Sequence, residues 1–78
     1  MPTVLRLLNW RFHFYSDEGS ESPHIHVDTS DGECKFWLSP VVLARASRVK
    51  VHELRTIEVV VIEREAFFLE KWHEFFGR

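Results

Sequence analysis

Apolar and polar residues alternate one by one in several short segments of this chain, and this alternation restricts the fold more than any other feature. Successive side chains of a β-strand point to opposite faces, so the pattern is typical of strands buried on one face only. It runs through Trp10–Ser16 and His24–Asp28, and Cys34–Leu38 follows an Asp-Gly hairpin signal. Together with the β-branched and leucine residues of Thr3–Leu7, it predicts four strands in the first half of the chain.

The pattern changes in the second half. Val41–Ala44 is a candidate fifth strand, whereas apolar residues recur at helical spacing from about Val51 onward. A second helical segment, Phe67–Phe76, ends at Gly77, a residue favoured just after a helix. The sequence therefore predicts an α+β fold, in which an antiparallel four- to five-stranded meander is followed by two C-terminal helices packed on one sheet face.

The predicted register sorts the side chains of the strands into two faces. If Asp31-Gly32 forms a two-residue turn, His26 pairs with Trp37, and the register of the preceding pair places His13 opposite His26. One face then collects the apolar residues, which the helices must cover: Leu5, Leu7, Trp10, Phe12, Phe14, Ile25, Val27, Phe36 and Leu38. The other face, which is the candidate site, is polar and aromatic: Arg6, Arg11, His13, Tyr15, His24, His26, Asp28, Glu33, Lys35 and Trp37.

Size, charge and composition bound the classes of function. A chain of 78 residues is expected to form one domain over residues 1–78. Its formal net charge is −2, from 10 basic and 12 acidic residues, so the global balance does not call for a polyanionic partner. No apolar run approaches the roughly 20 residues of a membrane span, and no signal-peptide pattern is present, so we expect a cytoplasmic location and no membrane partner. The single cysteine, Cys34, is expected to be a small buried residue.

The first functional interpretation is an interaction module that binds a protein partner or a second copy of itself. The second helical segment carries more apolar residues than one sheet face can cover: Phe67, Phe68, Leu69, Trp72, Phe75 and Phe76. Surplus apolar surface on so short a chain favours an interface, to which the polar loop Asp17–Pro23 would contribute. Packing of the two helices on each other would use part of this surplus. This interpretation ranks first.

A metal site is one of two alternatives. His24 and His26 are two residues apart on one strand, and His13 lies across on its neighbour, so three imidazoles can face one zinc ion. Three histidines would leave one position of a tetrahedral ion for water. No carboxylate or cysteine is obviously recruited as a fourth ligand, and His-x-His on a strand also occurs without metal.

The other alternative is a metal-independent ribonuclease on the same face. His24, His26 and Lys35 would be its catalytic residues, with the histidines as acid and base near their ordinary pKa of about 6.5. Arg11 would help to neutralise the phosphate, and two aromatic residues would stack on an unpaired base: Tyr15 and Trp37. Replacing His26 by alanine on this face, taken as exposed, is expected to cost under about 0.5 kcal/mol of stability.

Several blocks of the sequence resemble one known family. These blocks are Pro23–Val27 (Pro-His-Ile-His-Val), Met1–Leu5, Gly32–Leu38 and the helical tail from Glu53 to Gly77. They are similar to the small prokaryotic family of domain of unknown function 4160, and the similarity covers nearly the whole chain. The resemblance implies a protein partner, in the manner of paired toxin–antitoxin-like modules, and implies no particular chemistry.

Overall fold

The computed structural model describes residues 3–77, which form five strands and two helices. In chain order the elements are β1 Thr3–Leu7, β2 Trp10–His13, β3 His24–Asp28, β4 Glu33–Trp37, β5 Val42–Ser47, α1 Val51–Glu63 and α2 Glu65–Phe76. Each strand pairs antiparallel with its neighbour in the chain, in the order β1-β2-β3-β4-β5. The predicted α+β fold, an antiparallel meander followed by two helices, is confirmed with five strands.

The β3–β4 hairpin differs from its predicted register by two residues. Ile25 pairs with Phe36 and His26 with Lys35, because the connection is a four-residue loop, Thr29–Gly32. The Thr29 N–H donates to the Gly32 carbonyl (2.8 Å), and the Gly32 N–H donates to the Thr29 hydroxyl (2.9 Å). A shift of two preserves the side on which each residue points, so the prediction for the faces survives the wrong pairing.

Two other strand bounds also differ from the prediction. β2 ends at His13 rather than Ser16, so the chain leaves the sheet earlier, and β5 occupies Val42–Ser47 instead of Val41–Ala44. Every residue of β5 is exposed, which explains why the sequence carries little apolar signal for it.

The core lies between the apolar face of the sheet and the helices. The Phe12 ring stacks on Phe68 with centroids 5.4 Å apart, and Phe14 meets Trp72 edge-on at 5.3 Å. Cys34 is buried in this layer, as predicted. The remaining buried apolar residues are Trp10, Ile25, Val27, Phe36, Leu38, Ile57, Val60 and Val61.

Most of the apolar side chains of the second helical segment are buried or packed against the core. Phe68 and Trp72 are buried, and Leu69 and Phe76 pack against the core, so Phe67 and Phe75 are the exposed aromatic side chains of α2. Gly77 ends α2 in the left-handed conformation (φ 73°), as expected for a residue without a side chain. Within residues 3–77 neither helix combines the length and apolar character needed to cross a bilayer.

Candidate functional site

The polar face of the sheet is buried rather than exposed. His13 and His24 have no exposed surface, His26 is 1% exposed and Lys35 is 7% exposed. The reason is the β2–β3 loop (residues 14–23), of which the sequence predicts Asp17–Pro23 to be an exposed polar segment. Instead it places its side chains over the strands and shields the histidines from solvent.

Glu18 of this loop contacts two of the three histidines. One of its carboxylate oxygens, Oε1, lies 2.7 Å from Nε2 of His24 and 2.7 Å from Nε2 of His26. The two histidines are on the same face of β3, two residues apart, and their ring centroids are 5.0 Å apart. Glu18 was not among the predicted site residues, because its loop was expected to be exposed and to contribute to an interface.

His13 lies beside this pair and has a different partner. Its ring stacks on His26 with centroids 5.6 Å apart, in agreement with the predicted pairing of the two residues across β2 and β3. Its Nε2 is 3.1 Å from Oδ1 of Asp28, and the other oxygen of Asp28 accepts from Arg11 Nη2 at 3.0 Å. Burial raises the pKa of Asp28, but the bonds from Arg11 and His13 outweigh it and leave this pKa below its ordinary value.

The residues predicted to contact a phosphate or to stack on a nucleotide base already contact other side chains of the protein. Lys35 Nζ donates to Glu21 of the loop at 3.1 Å and lies 4.3 Å from the centre of the Trp37 ring. Tyr15 stands edge-on to His26, with centroids 4.5 Å apart, and closes the site from the loop side. Burial raises the pKa of Tyr15, which keeps its hydroxyl protonated.

The hydrogen bonds of His24 determine where its hydrogen sits. Its Nδ1 is 2.9 Å from the Ser22 carbonyl oxygen, which can only accept, so Nδ1 carries a hydrogen. In a neutral ring, Nε2 is then a lone pair directed at the Glu18 carboxylate.

His26 is held in its neutral form. Burial lowers its pKa, and this effect exceeds the opposing influence of Glu18. Its Nδ1 is buried and has no hydrogen-bond partner among residues 3–77, so its polar contact is at Nε2, on the side of Glu18. Burial raises the pKa of Glu18, but the hydrogen bonds with His24 and His26 lower it by more. The net pKa is below its ordinary value, so the carboxylate stays charged.

The strands place His13, His24, His26, Asp28 and Lys35 on the predicted face, and the loop adds two carboxylates, Glu18 and Glu21. Glu18 serves His24 and His26, Asp28 serves His13, and Glu21 serves Lys35. One feature of the sequence could have indicated the loop carboxylates. They lie in the connection between the two strands that carry the histidines.

Comparison with known proteins gives one result. Neither the curated proteins nor the solved structures contain a match to the chain. A family model does match, over residues 9–73, which include the whole histidine site and both helices up to the last turn of α2. The chain therefore belongs to the family described as domain of unknown function, DUF4160.

Proposed function

We propose that this domain is a protein-interaction module in a paired, toxin–antitoxin-like system, and that it binds an acidic, extended segment of its partner along the outer edge of β5. The segment would add a sixth strand to the sheet by main-chain hydrogen bonds. The proposal concerns the edge of the sheet and does not involve the buried histidines.

The observation that carries the proposal is the exposure of β5. It is the last strand of the sheet order, within residues 3–77 it pairs only with β4, and all six of its residues are exposed. The outer side of such a strand presents unpaired N–H and C=O groups, which form a ready template for another strand. Val42 and Leu43 are 49% and 39% exposed, so the edge also offers apolar contacts.

Apolar surface continues from the edge onto α1. Leu43 pairs with Phe36, whose ring is in the core, so Leu43 lies on the face that the helices cover. Val41 lines a recess together with Ile62 of α1, and Ile62 is about half exposed. A bound strand would therefore find apolar neighbours on its inward face.

The charge of this edge selects the chemistry of the partner. Residues 42–50 contain three basic residues and no acidic one, although the whole chain has a net charge of −2. Arg45 lies on β5, and its Nη2 atom is 3.9 Å from Glu33 Oε1, a long distance for an ion pair. The Arg45 side chain is 55% exposed and can meet an acidic side chain of a bound segment.

Two other ligands fit this edge less well than an acidic segment does. Antiparallel pairing of β5 with a second copy would bring two Arg45 side chains close together, and like charges across strands are unfavourable. RNA would gain phosphate contacts, but β5 carries no aromatic side chain on which a base could stack.

The geometry also gives little support to the ribonuclease interpretation. His24, His26 and Lys35 are at most 7% exposed and already have carboxylate partners. A phosphate would have to displace Glu18 and Glu21 before it could contact them. The edge of β5 needs no such rearrangement.

Site-specific photocrosslinking in cells tests the proposal. A benzophenone amino acid is placed at Leu43 on the β5 edge and, as the matched control, at the exposed Arg6 on the opposite edge strand β1. We expect position 43 alone to crosslink to a segment of another protein, and mass spectrometry should map the crosslink to an acidic segment. A synthetic peptide of that segment should then slow amide exchange in β5.

A second test exchanges the charges of Arg45 and of the bound peptide. Arg45→Glu should weaken binding of that peptide by at least about tenfold, equivalent to about 1.4 kcal/mol, while Arg55→Glu on α1 should not. Replacing the acidic residues of the peptide by lysine should restore binding to the Arg45→Glu variant. Crosslinks only to a second copy or to RNA, crosslinks from both positions alike, or none at all would contradict the proposal.

A further inference from the structure

We propose that Glu18, His24 and His26 bind one Zn²⁺ ion, which ties the β2–β3 loop to the sheet. This inference is independent of the β5 edge. It also changes the ligand set that the sequence suggests, because Glu18 replaces His13.

The positions of the three donor atoms support a shared ion. Glu18 Oε1, His24 Nε2 and His26 Nε2 all lie within 4.8 Å of one another. Zinc–nitrogen and zinc–oxygen bonds of about 2.1 Å place neighbouring ligands of a tetrahedral ion about 3.4 Å apart. The carboxylate oxygen, now 2.7 Å from each nitrogen, has to withdraw by less than about 1 Å to admit the ion.

The orientation of His24 also supports a metal ligand. Ligating histidines usually donate their other ring N–H to a backbone carbonyl or a carboxylate, which fixes the tautomer and the ring. His24 donates Nδ1–H to the Ser22 carbonyl at 2.9 Å and so presents the lone pair of Nε2 to Glu18. A zinc ion between these two atoms would accept the lone pair of Nε2 and that of the carboxylate oxygen.

The surrounding charges are already compensated. Lys35, which pairs with His26 across β3 and β4, has its ammonium 3.1 Å from Glu21, so its charge is offset near the site. His13 is directed at Asp28 and is not part of the three-residue cluster. Glu18 therefore supplies its negative charge to the two imidazoles and to an ion that they share.

The donor set selects the class of metal. Two imidazole nitrogens with one carboxylate suit zinc, whereas calcium and magnesium prefer oxygen ligands alone. Three protein ligands leave a fourth position for water. The Glu18 side chain is 20% exposed, so solvent can reach the site along the carboxylate.

Zinc titration of the metal-free full-length chain tests the inference. We expect one ion per chain, and we expect Glu18→Gln to weaken binding by more than about 100-fold, beyond the loss typical of an outer-shell partner. The matched control is Asp17→Asn in the same loop, which removes an exposed carboxylate outside the cluster. It should bind zinc as the parent does.

Nitrogen NMR of the histidine rings needs no substitution and stays decisive if a variant does not fold. On zinc addition the Nε2 signals of His24 and His26 should shift together, with saturation at one equivalent, while His13 keeps the tautomer set by Asp28. Shifts confined to His52 or His73, an unchanged affinity in Glu18→Gln, or no shift at all would overturn the inference.

Discussion

Replacing His26 by alanine is expected to destabilise the domain severely, in contrast to the small effect that its place on a polar sheet face suggests. The side chain is 1% exposed and contacts Tyr15, His13 and His24, with ring centroids 4.5, 5.6 and 5.0 Å away. Alanine would leave a cavity among these rings. It would also remove one of the two hydrogen bonds to the buried side of Glu18.

The magnitude follows from these two losses. A hydrogen bond to a charged group contributes about 1.5–3 kcal/mol, and truncating a buried ring to alanine adds a cavity cost that brings such substitutions to about 3–5 kcal/mol. We expect a loss of about 3 kcal/mol, which is a large part of the about 4–12 kcal/mol typical of 78 residues. The midpoint of thermal unfolding should fall by about 12–24 °C.

Urea unfolding followed by tryptophan fluorescence, with EDTA present so that metal does not contribute, measures this loss. The control His52→Ala, on the exposed side of α1, should change the unfolding free energy by less than about 0.5 kcal/mol. His26→Phe fills the cavity without the bond and should recover part of the loss. If His26→Ala unfolds within about 0.5 kcal/mol of the parent, the loop does not cover this face and the reasoning fails.

Three further predictions concern other parts of the molecule. Gly32→Ala should cost at least about 2 kcal/mol in urea unfolding, because its Cβ would lie 1.9 Å from the Ser47 carbonyl oxygen, whereas Gly19→Ala meets only the Phe76 ring and should cost less. Burial raises the pKa of Cys34 to about 12, so labelling with a thiol reagent at pH 8 should proceed only at the rate of unfolding. Zinc at 100 times its dissociation constant should raise the unfolding free energy by about 2.7 kcal/mol, and calorimetry that shows no increase would contradict this.

The faces of the sheet could be predicted from the sequence because alternation is a local property of the strand. His24 and His26 share a side with Lys35 and Trp37 as long as the predicted pairing differs from the true one by an even number of residues. The loop length itself was wrong, because the bond between the Gly32 N–H and the Thr29 hydroxyl favours a four-residue loop over the Asp-Gly turn.

The cover over the histidines could not be predicted in the same way. Glu18 meets partners six and eight residues further along the chain, and these contacts depend on how the loop folds back over β3. Composition indicates only that residues 17–22 are polar. A polar loop that supplies buried carboxylates and one that remains in water have the same sequence signature.

The burial of the polar face is itself an argument for a ligand. Three histidines and a lysine lie under the loop, each with a carboxylate partner. Burying such polar groups costs free energy, whereas burying apolar residues at the same positions would not. Replacing buried ion pairs by apolar residues is often neutral or stabilising. A small domain with a marginal core gains little stability from this arrangement. A bound zinc ion would change the balance, because Nε2 of His24, Nε2 of His26 and the charge of Glu18 would become its ligands, with the hydrogen of His26 moved to Nδ1.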